Sequence, residues 1–200
     1  RFKHDASLQI AGLYSPGGEL PPPPVTWTVP TFDAAIDSSQ PTGSGAGSPV
    51  VLGNTTGKGA ANNKAVFAFD VAGSSTTAAL VLVLAGASSG ADCTLRFRRI
   101  RRAGLTVVVN YNTYDGTNNW TVAGAEDTAA DVYTADQFTV VVPASTPSGT
   151  ELFIDNVGLL AMVVAAQADD GVLRFLVEVS VADAGSISIH MTEALIGGTR

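Results

Sequence analysis

The residues of this chain that could do chemistry fall into a few short stretches. The densest is NYNTYDGTNNWTVAG, Asn110 to Gly124. Tyr111, Tyr114 and Trp120 offer stacking faces, and Asn112, Asn118 and Asn119 offer amide hydrogen bonds. Tyr111, Tyr114, Asn118 and Trp120 are therefore candidate contacts for a glycan. The competing assignment puts Trp120 in the core and the asparagines in turns; it is favoured, because a large aromatic is buried more often than displayed. The Asp115-Gly116 step is a strong turn signal in either case.

A second stretch is CTLRFRRIRR, where Arg96, Arg98, Arg99, Arg101 and Arg102 are five of the eleven basic residues. Leu95 and Phe97 are expected on one face of a strand, with Arg96 and Arg98 on the other. The five arginines are a candidate contact patch for an acidic partner. An outward-facing strand whose arginines block edge pairing is the favoured alternative.

Loop carboxylates Asp33, Asp37, Asp127 and Asp131 are the oxygen ligands that a structural calcium ion would take, although no EF-hand spacing accompanies them. Catalysis finds less support. The histidines are His4, near the start, and His190, in a terminal strand where it alternates with Ile189 and Met191. The adjacent pairs Glu126-Asp127 and Asp169-Asp170 read as solvated turns or helix ends. GNTTGKG lacks the spacing of a phosphate loop, and no helix pattern follows it. The single Cys93 excludes an internal disulfide and reads as a small buried hydrophobe. No enzyme, cofactor or metal centre is expected beyond the calcium possibility.

The elements that must position these groups are β-strands. Charged residues are 14% of the chain, against roughly 25% in ordinary soluble domains, so the surface must be mostly Thr, Ser, Asn and Gly. A net charge of −7 argues against a nucleic-acid partner. No apolar run approaches the ~20 residues of a membrane span. No signal peptide opens the chain; it begins at Arg1 rather than Met, which leaves room for a leader, propeptide or further segment ahead of it.

Residues 1–24 end in four prolines, Pro21 to Pro24, which favour an extended polyproline II course. They read as an arm, with a domain over residues 25–200. Within the domain, strands are expected at Val25–Val29, Val50–Leu52, Ala65–Val71, Ala79–Ala85, Cys93–Arg102, Leu105–Asn110, Gln137–Val142, Glu151–Asp155, Val172–Ser180 and Ser186–Met191. Val66 should oppose Phe67 and Phe69. The almost wholly apolar Ala79–Ala85 should be buried on both faces. One helix is expected from Val157, capped by Asp155 or Asn156 and ended by Asp169, Asp170 and Gly171. Its periodic residues are Val157, Leu160, Ala161, Val164 and Ala165. About ten short strands at this spacing predict an all-β, jelly-roll-like antiparallel sandwich with one short helix and an N-terminal arm.

The order IDSSQPT (Ile36–Thr42), LGN (Leu52–Asn54), AVFAFDV, a buried strand and then YNTYDGTNNWTVAG resembles a DNRLRE-type domain. The closing helix, strand and ISIHMTEA (Ile187–Ala194) fit the same pattern, with Thr192 where serine is usual and Glu193 in place. RRAGLTVVVN stands where members often carry a Trp and a Glu. The resemblance covers roughly residues 31–196. It implies a β-sandwich module of the kind found in secreted and cell-surface proteins and in tailed-phage structural proteins. The expected function is accordingly a structural or interaction protein of a virion (head decoration, cement or fibre), exposed on the particle or outside cells. It would contact other virion proteins through residues 1–24 and form a homo-oligomer, with a trimer favoured. The alternative is a carbohydrate-binding module taking a host-surface glycan.

Overall fold

The computed structural model describes residues 26–38, 50–53, 63–71, 73, 75–86, 91–180 and 186–198. The arm of residues 1–24, most of the loop expected from Ser38 to Pro49 and most of the Gly53–Asn63 loop lie outside them. The described elements are β1 (Thr26–Thr28), β2 (Phe32–Ile36), β3 (Val50–Gly53), β4 (Lys64–Asp70), β5 (Ala79–Leu84), β6 (Cys93–Ile100), β7 (Val132–Val142), β8 (Glu151–Asp155), α1 (Val157–Ala168), β9 (Val172–Val179) and β10 (Ser186–Gly198).

The strands form two antiparallel sheets. In the first, β10 pairs with β5, and β5 with β8, while β1 and β3 pair with opposite ends of β10. The second runs β2-β4-β9-β6-β7. Alternation along each strand explains why the sheets stack. Ala65, Phe67 and Phe69 of β4 and Leu95 and Phe97 of β6 turn inward, where they meet Leu80, Leu82 and Leu84 of β5 and Ile187 and Ile189 of β10. Aromatic rings knit this core: Phe67 and Phe69 lie 5.5 and 5.8 Å from Phe175, and Phe97 stacks on Phe138 at 4.6 Å. The chain is a β-sandwich.

The helix forms at the expected residues. Asn156 caps it by accepting a hydrogen bond from the Gly158 N–H at 2.7 Å. Gly171, with φ of 76°, closes its end by donating to the Ala166 carbonyl at 2.9 Å. The buried face, however, is Leu159, Met162, Val163 and Ala166, while Val157 and Val164 are exposed. The helix is apolar or small nearly all round, so periodicity could not select the face; packing against β7 and β9 did.

Several strand expectations change. Phe32–Ile36 is a strand, β2, although no such element was expected there. Leu105–Asn110 is not one; it lies in a chain of turns. Strand β5 is fully buried on one face only, with Val81 and Val83 half-exposed on the other. Strands β7 and β10 run well beyond Gln137–Val142 and Ser186–Met191. Strand β6 is not an edge: it lies between β9 and β7, so its arginines do not block edge pairing.

Candidate functional site

The feature that sets this sandwich apart is the segment between β6 and β7, residues 101–131, which folds over the outer face of the second sheet. It makes a second core there. Ala34, Ile36, Val66, Ile100 and Leu176 from the sheet meet Leu105, Val109, Trp120 and Ala125 from the segment. Val66 does oppose Phe67 and Phe69, and it belongs to this second core. Trp120 is 4% exposed and donates its indole N–H to the Asn110 carbonyl at 2.9 Å.

The asparagines and Asp115 shape the segment from within. The Asn110 side-chain oxygen accepts from the N–H groups of Asn112 and Thr113, both at 2.9 Å. Asp115 accepts from the N–H of Thr117 and of Asn118, at 2.8 and 2.6 Å, and from the Asn118 amide at 2.6 Å. The Asn118 hydrogen bonds, side chain first, hold the Asp115 carboxyl below its usual range. Gly116 turns the chain with φ of 85°, where a Cβ would come within 2.6 Å of Val108. Tyr111 packs against Gly124, whose added Cβ would lie 2.7 Å from the ring, and Tyr114 lies 5.7 Å from Trp120.

The four candidate glycan contacts are thus neighbours, but they do not form a displayed platform. Trp120 is buried, Tyr111 and Tyr114 are half-buried against the second core, and Asn118 is engaged by Asp115.

Charge pins the segment down. Glu178 of β9, 1% exposed, accepts from Arg96 Nε at 2.6 Å and Arg98 Nη2 at 3.1 Å, and Lys64 Nζ lies 3.2 Å away. Lys64 is fully buried and also bonds two groups of the covering segment, the Gly124 carbonyl at 2.6 Å and the Glu126 carboxylate. Arg98 reaches Glu126 as well, at 3.5 Å. Burial pushes the Glu178 carboxyl up, but Lys64, Arg98 and Arg96 together outweigh it, and its pKa is lowered. A second pin is Asp131, fully buried, which accepts from Arg102 Nη2 at 2.7 Å and from the N–H groups of Thr121 and Val122, each at 3.1 Å.

The five arginines accordingly do not make one exposed patch. Arg98 and Arg99 are 3% and 6% exposed. Arg99 points to the other side of β6, pairing with Asp136 at 3.0 Å and with Asp169 at the end of α1. Burial disfavours its charge, yet these carboxylates outweigh burial and raise its pKa. Arg99 and Arg101 also lie 4.4 and 4.0 Å from the Tyr133 ring centre. The cleft there, about 220 Å³, is lined by both signs of charge: Arg99, Arg101 and Arg174 with Asp169 and Asp170.

Asp33, Asp37, Asp127 and Asp131 are not brought together. Asp131 is engaged as described, and Asp127 caps a turn by accepting from the N–H of Ala129 and Ala130 at 2.6 and 2.8 Å. Among the described residues no group of three or more His, Cys, Asp or Glu converges as a metal site. His190 sits on the outer face of the first sheet opposite Val83, and Cys93 is buried.

Trp27 and Phe153 are exposed aromatics of the first sheet that no motif in the sequence marks as a site. They are 41% and 63% exposed, with ring centres 6.3 Å apart. The signal was present in alternation: Ile154 is buried, so Phe153 must face outward. Comparison with protein-family models finds no match, and comparison with curated proteins finds none either. The likeness to DNRLRE-type domains therefore rests on the residues quoted for it.

Proposed function

We propose that this chain is a non-enzymatic structural and interaction protein of a tailed-phage particle, a head decoration, cement or fibre component. The sandwich is its body and residues 1–24 are its tether to a neighbouring subunit. One observation carries the non-enzymatic half: the chain's concentrated chemical groups are bound to one another. Arg98, Lys64, Glu178, Asp131 and Trp120 pin the 101–131 segment to the sheet and are buried in doing so. Such an arrangement makes a rigid block rather than a reactive cleft. The particle half draws on the DNRLRE resemblance, on the sparse surface charge and on the Pro-terminated arm.

Oligomeric state and particle association, compared between the full chain and a chain starting at Val25, test this reading. A truncated chain that folds but neither oligomerises nor joins particles supports it, with a trimer expected for the full chain. Two monomeric proteins that both bind polysaccharide would replace it with the carbohydrate-binding alternative.

A further inference from the structure

The two outer faces of the sandwich are treated differently. The second sheet is covered by residues 101–131. The first presents Trp27, Val51 and Phe153 outward, at 41%, 37% and 63% exposure, with Val81 and Val83 half-exposed between them. Register joins these residues: Trp27 pairs with Gly197, and Val81 pairs with Phe153. The missing side chain of Gly197 lets the indole lie flat on β10, since a Cβ there would come within 2.6 Å of the ring. The Trp27 and Phe153 rings meet edge to face at 73°, which leaves a stepped apolar surface instead of a flat one. Side chains of a peptide fit such a surface better than the face of a sugar ring. Glu151 and Asp155 flank Phe153, both exposed, and make the β8 edge of this face acidic.

We propose that this face seats residues 1–14 of a second copy of the chain. The inference rests on the tether reading above and names the surface that receives the tether. Three features of the chain select this occupant. The segment carries large apolar residues, Phe2, Leu8, Ile10 and Leu13, for the stepped surface, and Arg1 and Lys3 for Glu151 and Asp155. It is long enough: 14 residues extend to roughly 46 Å, whereas the crossing from β1 to β8 is roughly 14 Å at the spacing of neighbouring strands. Finally, Pro21 to Pro24 stand between it and β1 in the sequence, and four prolines favour an extended course. Folding back onto its own face therefore needs a separate reversal, for which Gly17-Gly18 is the candidate in the sequence. Running straight on to a neighbour needs none.

The substitutions are all made in the full chain, and the chain starting at Val25 serves as the comparison. Trp120 is buried, so quenching of tryptophan emission by acrylamide reports on Trp27. The expected result is an oligomer by light scattering, with Trp27 quenching lost as protein concentration rises through the assembly range. Phe153→Asp should reduce the mass to a single chain, while Val141→Asp, which alters an exposed apolar residue of the other sheet, should not. Arg1→Glu with Lys3→Glu should also dissociate the oligomer, and Glu151→Lys with Asp155→Lys in the same chain should restore it. A monomer whose Trp27 is shielded at every concentration would mean the arm covers its own face, and overturns the proposal. So does a monomer with Trp27 open at every concentration, which leaves the face to a different partner. An oligomer that loses its mass in the chain starting at Val25 but ignores Phe153→Asp overturns this seat while the tether reading stands. An oligomer that keeps its mass in that truncated chain overturns both.

Discussion

Replacing Glu178 by Gln is the sharpest probe of the covered sheet. Gln keeps the shape, so no cavity forms, but it leaves Lys64 and Arg98, fully buried and 3% exposed, without their central counter-charge. Breaking a buried pair from one side costs about 3–5 kcal/mol. Glu126 still reaches Lys64 and Arg98, although it is 35% exposed and partly screened, which places the expected loss near the lower end, about 3 kcal/mol. For a domain of this size that lowers Tm by roughly 6–12 °C. Urea denaturation at neutral pH measures it as a change in midpoint at constant slope. The pH dependence gives a second reading. Because the folded pKa of Glu178 is depressed, the native state holds fewer protons on this group than the unfolded chain. Its stabilisation is full above the ordinary value of 4.5 and drains away as pH falls through the depressed folded value. The gap between wild type and Glu178→Gln should therefore be constant near neutrality and close only in acid. A triple replacement, Lys64→Met, Arg98→Leu and Glu178→Leu, removes charge from all three sides and should cost much less than the single change; Arg96 and Glu126 are exposed enough to be solvated. A loss below about 1 kcal/mol for Glu178→Gln, or a triple variant as unstable as the single one, would refute the claim that buried charge pins the segment.

Two further outcomes follow from the same geometry. Trp120→Ala should cost about 3–5 kcal/mol through lost packing in the second core, with residues 101–131 gaining amide exchange before the main core does; unchanged protection there would show that the segment holds without its indole. Cys93 is buried in the main core, so a thiol reagent should label it only at the rate of unfolding, with urea accelerating the reaction; fast labelling of the native protein would contradict its burial.

What could be seen in advance, and what could not, divides along physical lines. Alternation with a period of two marked most strands, because a sheet residue's side is set by its neighbours in sequence. Asp155 or Asn156, and Asp169 to Gly171, marked the helix ends for local reasons, and the structure takes Asn156 and Gly171. The spacing of about ten short strands, with one change of period near Val157, was enough to predict an all-β sandwich with a single helix. Which surface each side chain faced was another matter. The helix is apolar on several sides, so only the position of β7 and β9 chose Leu159 and Met162 over Val157 and Val164. Arg98 of β6 looked like surface charge, but it lies under residues 101–131, and its partners Glu178 and Glu126 are far away in sequence; Arg99 turns to the other side, toward Asp136 and Asp169. The turns of Asn110–Gly124 were local and therefore legible, and the favoured placing of Trp120 inside is what the structure shows; which sheet it would cover was not legible. Most strands, the turns of Asn110–Gly124 and the sandwich class thus follow from residues near one another in the chain, whereas strand β2 and the turns at Leu105–Asn110 do not. Tertiary structure alone decided that one outer face is sealed by a buried ionic network and that the other keeps Trp27 and Phe153 open, because burial depends on which distant segment arrives to exclude water.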